Sequence, residues 1–190
     1  MKTPPPLDQV YDAAYFGSRM AWKPPVYKAM AEEVKNIYGS NGLIIELGSG
    51  NGEFLQHFHG YGLEGASTGV DMCRKKGLAV WQHDLRKPLA DYRLDPTHLT
   101  VSIEVAEHIE PEYVDIYVAT LKQFSNRIIL TASPEPSKHH PNPQPREYWI
   151  EKMGDEYIEN SEALRNAWKA VIPARYDYLY KNLMVFERKM

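Results

Sequence analysis

The sequence predicts an α/β domain built on a mostly parallel sheet, and three observations carry that expectation. Apolar runs of strand length alternate along the chain with longer stretches of helical period. One run, Leu43-Ile44-Ile45-Glu46-Leu47, is apolar but for a single acid and bounded by glycines, as in a central strand covered on both faces. The 190 residues, 43% hydrophobic and 25% charged, suffice for a real core and have the composition of one folded domain.

The elements follow in order. After Pro24-Pro25, the residues Val26, Met30, Val34, Ile37 and Tyr38 fall on one face of a first helix, which Gly39 to Gly42 end. The Leu43 run is the first strand, and a second helix is expected to open in Gly50-Asn51-Gly52 and carry Phe54, Leu55 and Phe58. Further strands are expected over Ser67 to Asp71, Leu78 to Gln82 and Leu99 to Ile103, which leaves an unusually short crossover from Met72 to Gly77. Beyond Pro111, Val114, Tyr117, Val118, Leu121 and Phe124 follow helical spacing, and Arg127 to Thr131 is the next buried strand. From Pro134 to Pro145 five of the chain's 14 prolines crowd together, which forbids a helix or interior strand and makes a loop at the sheet's carboxyl edge. Arg146 to Met153 returns to helix. Ser161 is placed to cap a later helix whose Leu164, Trp168, Val171 and Ile172 face the core, and Asn182 to Glu187 reads as a final strand.

Composition narrows the function. A net charge of -3 speaks against a wide phosphate-neutralising face, and the tight basic clusters Arg74-Lys75-Lys76 and Arg86-Lys87 read as solvated surface. The single Cys73 excludes an internal disulfide framework and a multi-cysteine zinc site. No apolar run has the length of a membrane span, and Met1-Lys2-Thr3 before three prolines lacks the apolar core of a secretory signal. The expected setting is cytoplasmic, without membrane attachment.

The most informative stretch is Glu46-Leu47-Gly48-Ser49-Gly50-Asn51-Gly52, with glycine at alternate positions directly after a buried strand. Such a turn lets backbone approach a nucleotide closely. A dinucleotide fingerprint would need glycine where Glu53 stands, and a phosphate loop would need a following Gly-Lys-Ser/Thr that is absent.

The turn resembles motif I of the class I S-adenosylmethionine-dependent methyltransferases, and later segments extend the likeness in family order. The resemblance implies that Glu46 orients the network around the amino-acid moiety and that Gly48, Ser49, Gly50 and Gly52 pass under methionine and ribose. It implies that Asp71, in Thr68-Gly69-Val70-Asp71, holds both ribose hydroxyls, that Met72 packs on adenine, and that Asp84 with Leu85 meets the adenine edge. Two acceptor oxygens suit a vicinal diol. Ser102-Ile103-Glu104-Val105-Ala106-Glu107-His108 resembles the E-V-x-E-H segment of many small-molecule members. The fold so implied is a Rossmann-like three-layer sandwich, a mostly parallel seven-stranded sheet with an antiparallel last strand. It would form a single domain over residues 1–190, with an N-terminal helical lid over 1–40 and a proline-rich substrate loop over 134–146.

The function implied is methyl transfer from S-adenosylmethionine to an oxygen or nitrogen of a small-molecule acceptor, leaving S-adenosylhomocysteine. Candidates on the acceptor side are Glu104 and the histidines His108, His139 and His140, whose ordinary pKa suits a general base. Tyr11, Tyr15, Phe16, Trp22 and Tyr27 could fold over the cofactor, an ordinary packing role being equally open, and Arg146, Tyr148 and Trp149 could line the acceptor pocket, though a helix face in the core explains Trp149 just as well. Glu104, Glu107, His108 and a later histidine also resemble the metal-binding set of the small-RNA 3′-terminal 2′-O-methyltransferases. Because E-x-x-E-H is common in relatives that bind no metal, and the chain lacks a basic excess, no metal is expected. Two alternatives stay open: a nucleic-acid methyltransferase, metal-assisted or not, and a cofactor-binding partner protein without catalysis.

Overall fold

The computed structural model describes residues 6–18, 23–89 and 97–189, so Trp22 lies outside the described residues. Short helices α1 (Leu7–Val10) and α2 (Ala13–Gly17) precede the long α3 (Lys23–Tyr38). There follow β1 (Ile44–Leu47), β2 (Gly60–Glu64), α4 (Ser67–Lys75), β3 (Ala79–Gln82), β4 (Leu99–Ile103), α5 (Val114–Lys122) and β5 (Arg127–Thr131). The chain continues through α6 (Arg146–Met153), β6 (Tyr157–Glu159), α7 (Glu162–Val171), α8 (Tyr178–Lys181) and β7 (Leu183–Arg188). One seven-stranded sheet runs in the order β3-β2-β1-β4-β5-β7-β6, and β7 is antiparallel to both its neighbours while the other pairs are parallel.

The central strands are apolar on successive residues because both faces are covered. Ile44, Ile129 and Val185 pack with Met30, Val34, Leu164 and Trp168 in one layer, under α3, α4, α7 and α8. Ile45, Ile128, Leu130 and Phe186 pack with Tyr117, Leu121, Trp149 and Met153 in the other, under α5 and α6. The period of two along each strand thus divides its residues between two cores. Trp168 is fully buried, and its indole Nε1 donates to the Met30 carbonyl at 3.2 Å, fastening α7 to α3. Among the described residues no helix is long and apolar enough to cross a membrane.

Strands β4 and β5 and helix α6 keep the bounds expected of them, but five expectations need correction. Ser67 to Asp71 is the start of a helix, and the second strand is Gly60–Glu64. The buried residues of α4, Gly69, Val70 and Cys73, have helical spacing. Glycine in β2 reflects close approach: a Cβ at Gly62 would collide with Ser49 Oγ, and one at Gly60 with the Ile44 carbonyl. With β2 so placed, α4 fills the crossover to β3 and its supposed shortness disappears. No α-helix opens at Gly50; the positive φ of Gly52 (78°) breaks the chain there, and only a 3-10 turn, Leu55–His57, follows. The Ser161 side chain makes no capping bond to α7, accepting from Arg165 instead, and Ile37 and Val171 are 37% and 38% exposed where a core position was expected.

Replacing Trp168 by alanine removes a fully buried indole and its bond from α7 to α3, for an expected loss of about 3–5 kcal/mol. A urea titration reads this as a lower midpoint at unchanged slope.

Candidate functional site

The carboxyl ends of β1, β2 and β4, with the residues just after β3, open into one cleft of about 930 Å³ including its mouth. Ligands of open α/β sheets bind at such a place, where the strand order reverses between β1 and β4.

The glycine-rich turn after β1 is held by bonds that leave its backbone along the cleft. The amides of Gly48 and Ser49 donate to the Leu63 carbonyl at 2.8 and 3.1 Å, and Ser49 Oγ donates to the Glu46 carbonyl at 3.1 Å. Gly50 has φ of 56°, and a Cβ there would reach only Phe16, across the cleft. Its amide donates to Glu64 Oε2 at 2.7 Å, while Glu64 Oε1 accepts from the Ala66 amide at 2.8 Å. From below, Cys73 Sγ donates to the Gly50 carbonyl at 3.4 Å, and burial pushes that thiol's pKa up to about 12.

Glu64 therefore ends β2, lines the cleft and links the turn to the start of α4. Burial pushes its carboxyl up to about 7, against the opposing pull of its backbone bonds from Ala66 and Gly50. A raised folded pKa means that this group's contribution to stability is present below the ordinary carboxylate range and is lost as pH rises through about 7.

Asp84 and Leu85 follow β3 on the cleft wall. Asp84 accepts a bidentate pair from Arg86, Nε to Oδ1 at 2.8 Å and Nη2 to Oδ2 at 3.0 Å, and Arg86 Nη1 reaches Glu110 at 3.2 Å. Burial raises the Asp84 carboxyl, but the Arg86 bonds and charge outweigh it and hold the group below its usual range. Arg86 is thus a cleft residue rather than solvated surface.

Tyr11, just after α1, and Tyr15 and Phe16 of α2 line the opposite side, together with Tyr27 of α3. Tyr15 stacks edge to face on both Tyr11 and Phe16, at 4.9 and 5.3 Å. This cover is fastened from a distance: Asp8 Oδ1 accepts from the Ser67 amide at 2.6 Å and from Ser67 Oγ at 2.9 Å, capping α4 with a side chain of α1.

At the far end, Glu104 follows β4 with φ of 55°, the one positive φ outside glycine among the described residues. Its amide donates to Thr131, to Oγ1 at 2.9 Å and to the carbonyl at 3.2 Å. Such backbone is uncommon for a side-chain-bearing residue and clusters at functional sites. Glu107 is 1% exposed, and burial, then the adjacent Glu104 charge, drives its pKa well above the ordinary range. His108 lines the cleft, with its ring 5.9 Å from that of Tyr11 and 4.9 Å from that of His140.

Of the residues expected in the site, Glu46, Gly48, Ser49, Gly50, Asp84, Leu85, Glu104 and His108 line the cleft. Gly52 does not; a Cβ there would collide with Leu78, so it serves packing. Asp71 and Met72 belong to α4, where Asp71 is exposed, and Glu64 occupies the strand end assigned to Asp71. The His139 ring is exposed, but its carbonyl oxygen accepts from His108 Nδ1 at 2.6 Å. Trp149 is core, and Arg146 is engaged by the Leu183 carbonyl and Glu159. Glu64 and Arg86 were missed, although Gly62-Leu63-Glu64-Gly65 repeats the acid-after-apolar-run signal that singled out Glu46.

This sheet order and cleft define the class I methyltransferase fold. The plantazolicin methyltransferase BpumL, solved with a monoazolic desmethylPZN analog and SAH, superposes with a TM-score of 0.66 at 9% identity, over 96% of this chain and 93% of that one. A SAM dependent methyltransferase from Archaeoglobus fulgidus gives 0.62 at 14% identity (94% and 100% covered), and a TehB-like SAM-dependent methyltransferase from Corynebacterium glutamicum gives 0.61 at 12% (94% and 100%). No curated protein matches the chain by sequence. The family model described as methionine biosynthesis protein MetW matches residues 28–125, more than half of the 190, and the chain belongs to that family.

Replacing Asp8 by alanine removes the distant cap of α4 and the tie of the cover. Amide hydrogen exchange at Ser67 and across 6–18 should quicken about fivefold, the equivalent of roughly 1 kcal/mol for a lost cap, with the sheet unaffected.

Proposed function

We propose that the protein binds S-adenosylmethionine in the cleft and transfers its methyl group to an oxygen or nitrogen of a small-molecule acceptor. The observation that carries this reading is the Glu64 carboxylate. It is 7% exposed at the end of β2, and each oxygen is committed to only one of the two amides that hold it. Each oxygen therefore keeps a lone pair for one hydroxyl of a vicinal diol such as a ribose. Gly50 beside it presents backbone without a Cβ, where a ligand can lie against the turn.

When bound, the cofactor supplies a methyl on a sulfonium already activated for displacement, so the protein's contribution is chiefly alignment. Glu46, 3% exposed at the end of β1, would hold the ammonium of the amino-acid moiety. Leu85 and Ile109, both 6% exposed, supply apolar walls for a purine, and Asp84, whose Oδ1 is taken by the Arg86 amide and Nε, retains a lone pair on Oδ2 for its amino group. Tyr11, Tyr15 and Phe16 exclude water from the reacting end. On the acceptor side, His108 is oriented by its Nδ1 bond to the His139 carbonyl, which leaves the neutral ring's lone pair on Nε2 for drawing the acceptor's proton. The His139 side chain itself is not needed for this. The relatives whose names state a small natural-product substrate, BpumL among them, support the acceptor class.

Calorimetric titration with S-adenosylmethionine and S-adenosylhomocysteine tests the reading. Both should bind, with affinity reduced ten- to hundredfold in Glu64→Ala, as for lost charge-assisted hydrogen bonds, and unchanged within twofold in Asp71→Ala. Absence of binding to the intact chain at millimolar ligand overturns it. Diol donors favour the ionised carboxylate, so with Glu64 titrating at about 7 the affinity should fall roughly tenfold from pH 8 to pH 6. In Glu64→Gln that slope should vanish.

A further inference from the structure

We propose that Glu107, His108 and His140 form a binding site for one divalent first-row transition metal ion at the acceptor end of the cleft. The three residues each offer a ligand atom, and these atoms all lie within 4.8 Å of one another. They come from two separate segments, the 3-10 turn after β4 (Ala106–His108) and the proline-rich loop. The loop is tied back to the turn by its backbone: the Asn142 amide donates to the Glu107 carbonyl at 3.1 Å.

Two features distinguish this cluster from polar residues that merely meet. The first is the setting of both imidazoles. His108 Nδ1 lies 2.6 Å from the His139 carbonyl oxygen and His140 Nδ1 lies 2.7 Å from that of Glu135. A carbonyl only accepts, so both Nδ1 atoms carry the hydrogen and both neutral rings have their coordinating lone pair on Nε2. This is the arrangement by which proteins orient metal-bound histidines. The second is Glu107. Its carboxyl is 1% exposed, and Oε2 has no hydrogen-bond partner among the described residues. A buried carboxylate oxygen left so is costly, and a cation between it and the imidazoles would satisfy it. The Glu104 carboxyl lies alongside.

Two imidazoles and one carboxylate favour Mn²⁺, Fe²⁺, Co²⁺ or Zn²⁺ over Mg²⁺ and Ca²⁺, and three protein ligands leave coordination positions open. Because His108 lines the cleft, those positions suit an oxygen of the acceptor. A hydroxyl held there loses its proton to solvent more readily, and the resulting alkoxide is the better nucleophile toward a methyl donor. This use of the ion rests on the methyl-transfer reading; its binding does not, and it makes His108 a ligand whenever the ion is present.

The test uses the full chain freed of metal with a chelator. Titration with Co²⁺, followed by visible absorption, and with Zn²⁺, followed by calorimetry, should each saturate at one ion per chain. Affinity should drop at least tenfold in His140→Ala and in Glu107→Gln. S-adenosylhomocysteine affinity and the thermal unfolding midpoint are measured on the same samples. His140→Ala alters a loop side chain, so it should keep the wild-type midpoint and cofactor affinity while losing the metal. Wild-type protein that binds neither ion at millimolar concentration, or binds both equally well in the two variants, overturns the site. Metal binding without cofactor binding would sustain the site and refute the methyl-transfer reading; the converse would do the reverse.

Discussion

The carboxylate of Glu64 stands between two backbone amides, Gly50 and Ala66, that neither the sheet nor a helix ladder satisfies. Because the acid is buried, those bonds offset part of the cost of keeping it there, and they fix where the glycine-rich turn passes and where α4 begins. Gly69 then allows α4 to press against the turn, since a Cβ at that position would strike the Gly50 carbonyl and the Glu64 side chain. The cover is attached to the same place, through Asp8 and Ser67. One acid thus sets the shape of the turn and the start of the helix that the cover grips.

Charge around the cleft is one-sided. Glu46, Glu64 and Glu107 are buried and Glu104 is half-buried, all at or just beyond the carboxyl ends of strands, while Arg86, the one guanidinium lining the cleft among the described residues, is already shared by Asp84 and Glu110. Carboxyls gathered in a low-dielectric cleft favour a cation over an anion, since a cation stabilises their ionised form and an anion opposes it. A sulfonium, an ammonium and a metal ion all suit that setting, whereas a phosphate does not. The small negative net charge of the whole chain, -3, conceals this concentration.

How much could be read from the sequence depended on whether the determining contacts were local. Strands β4 and β5 and helix α6 were legible to the residue, because continuous apolar runs and helical spacing reflect contacts each element makes along its whole length. β2 was not, because its pattern, Gly-Tyr-Gly-Leu-Glu, shows glycine where Ser49 Oγ and the Ile44 carbonyl crowd the strand, and strand propensity counts glycine against it. Thr68-Gly69-Val70 then passed for the missing strand, since the cap that starts α4 comes from Asp8, 59 residues earlier, beyond any local window. That single shift put Asp71 at the strand end where Glu64 stands. On the acceptor side the residue types were legible, but the grouping of His108 with His140 depends on how the proline-rich loop folds back on Glu107.

The lone thiol of Cys73 lies wholly inside the molecule, with its sulfur against the Gly50 carbonyl and its ionisation suppressed by burial. In that position it is a poor target for alkylating reagents and oxidants, which need an accessible thiolate. It becomes reactive only when the turn and α4 part company. The chain therefore carries a built-in chemical reporter of its own loop: the rate at which an added maleimide captures this one sulfur counts the openings of the turn, and anything that settles on the turn slows the clock.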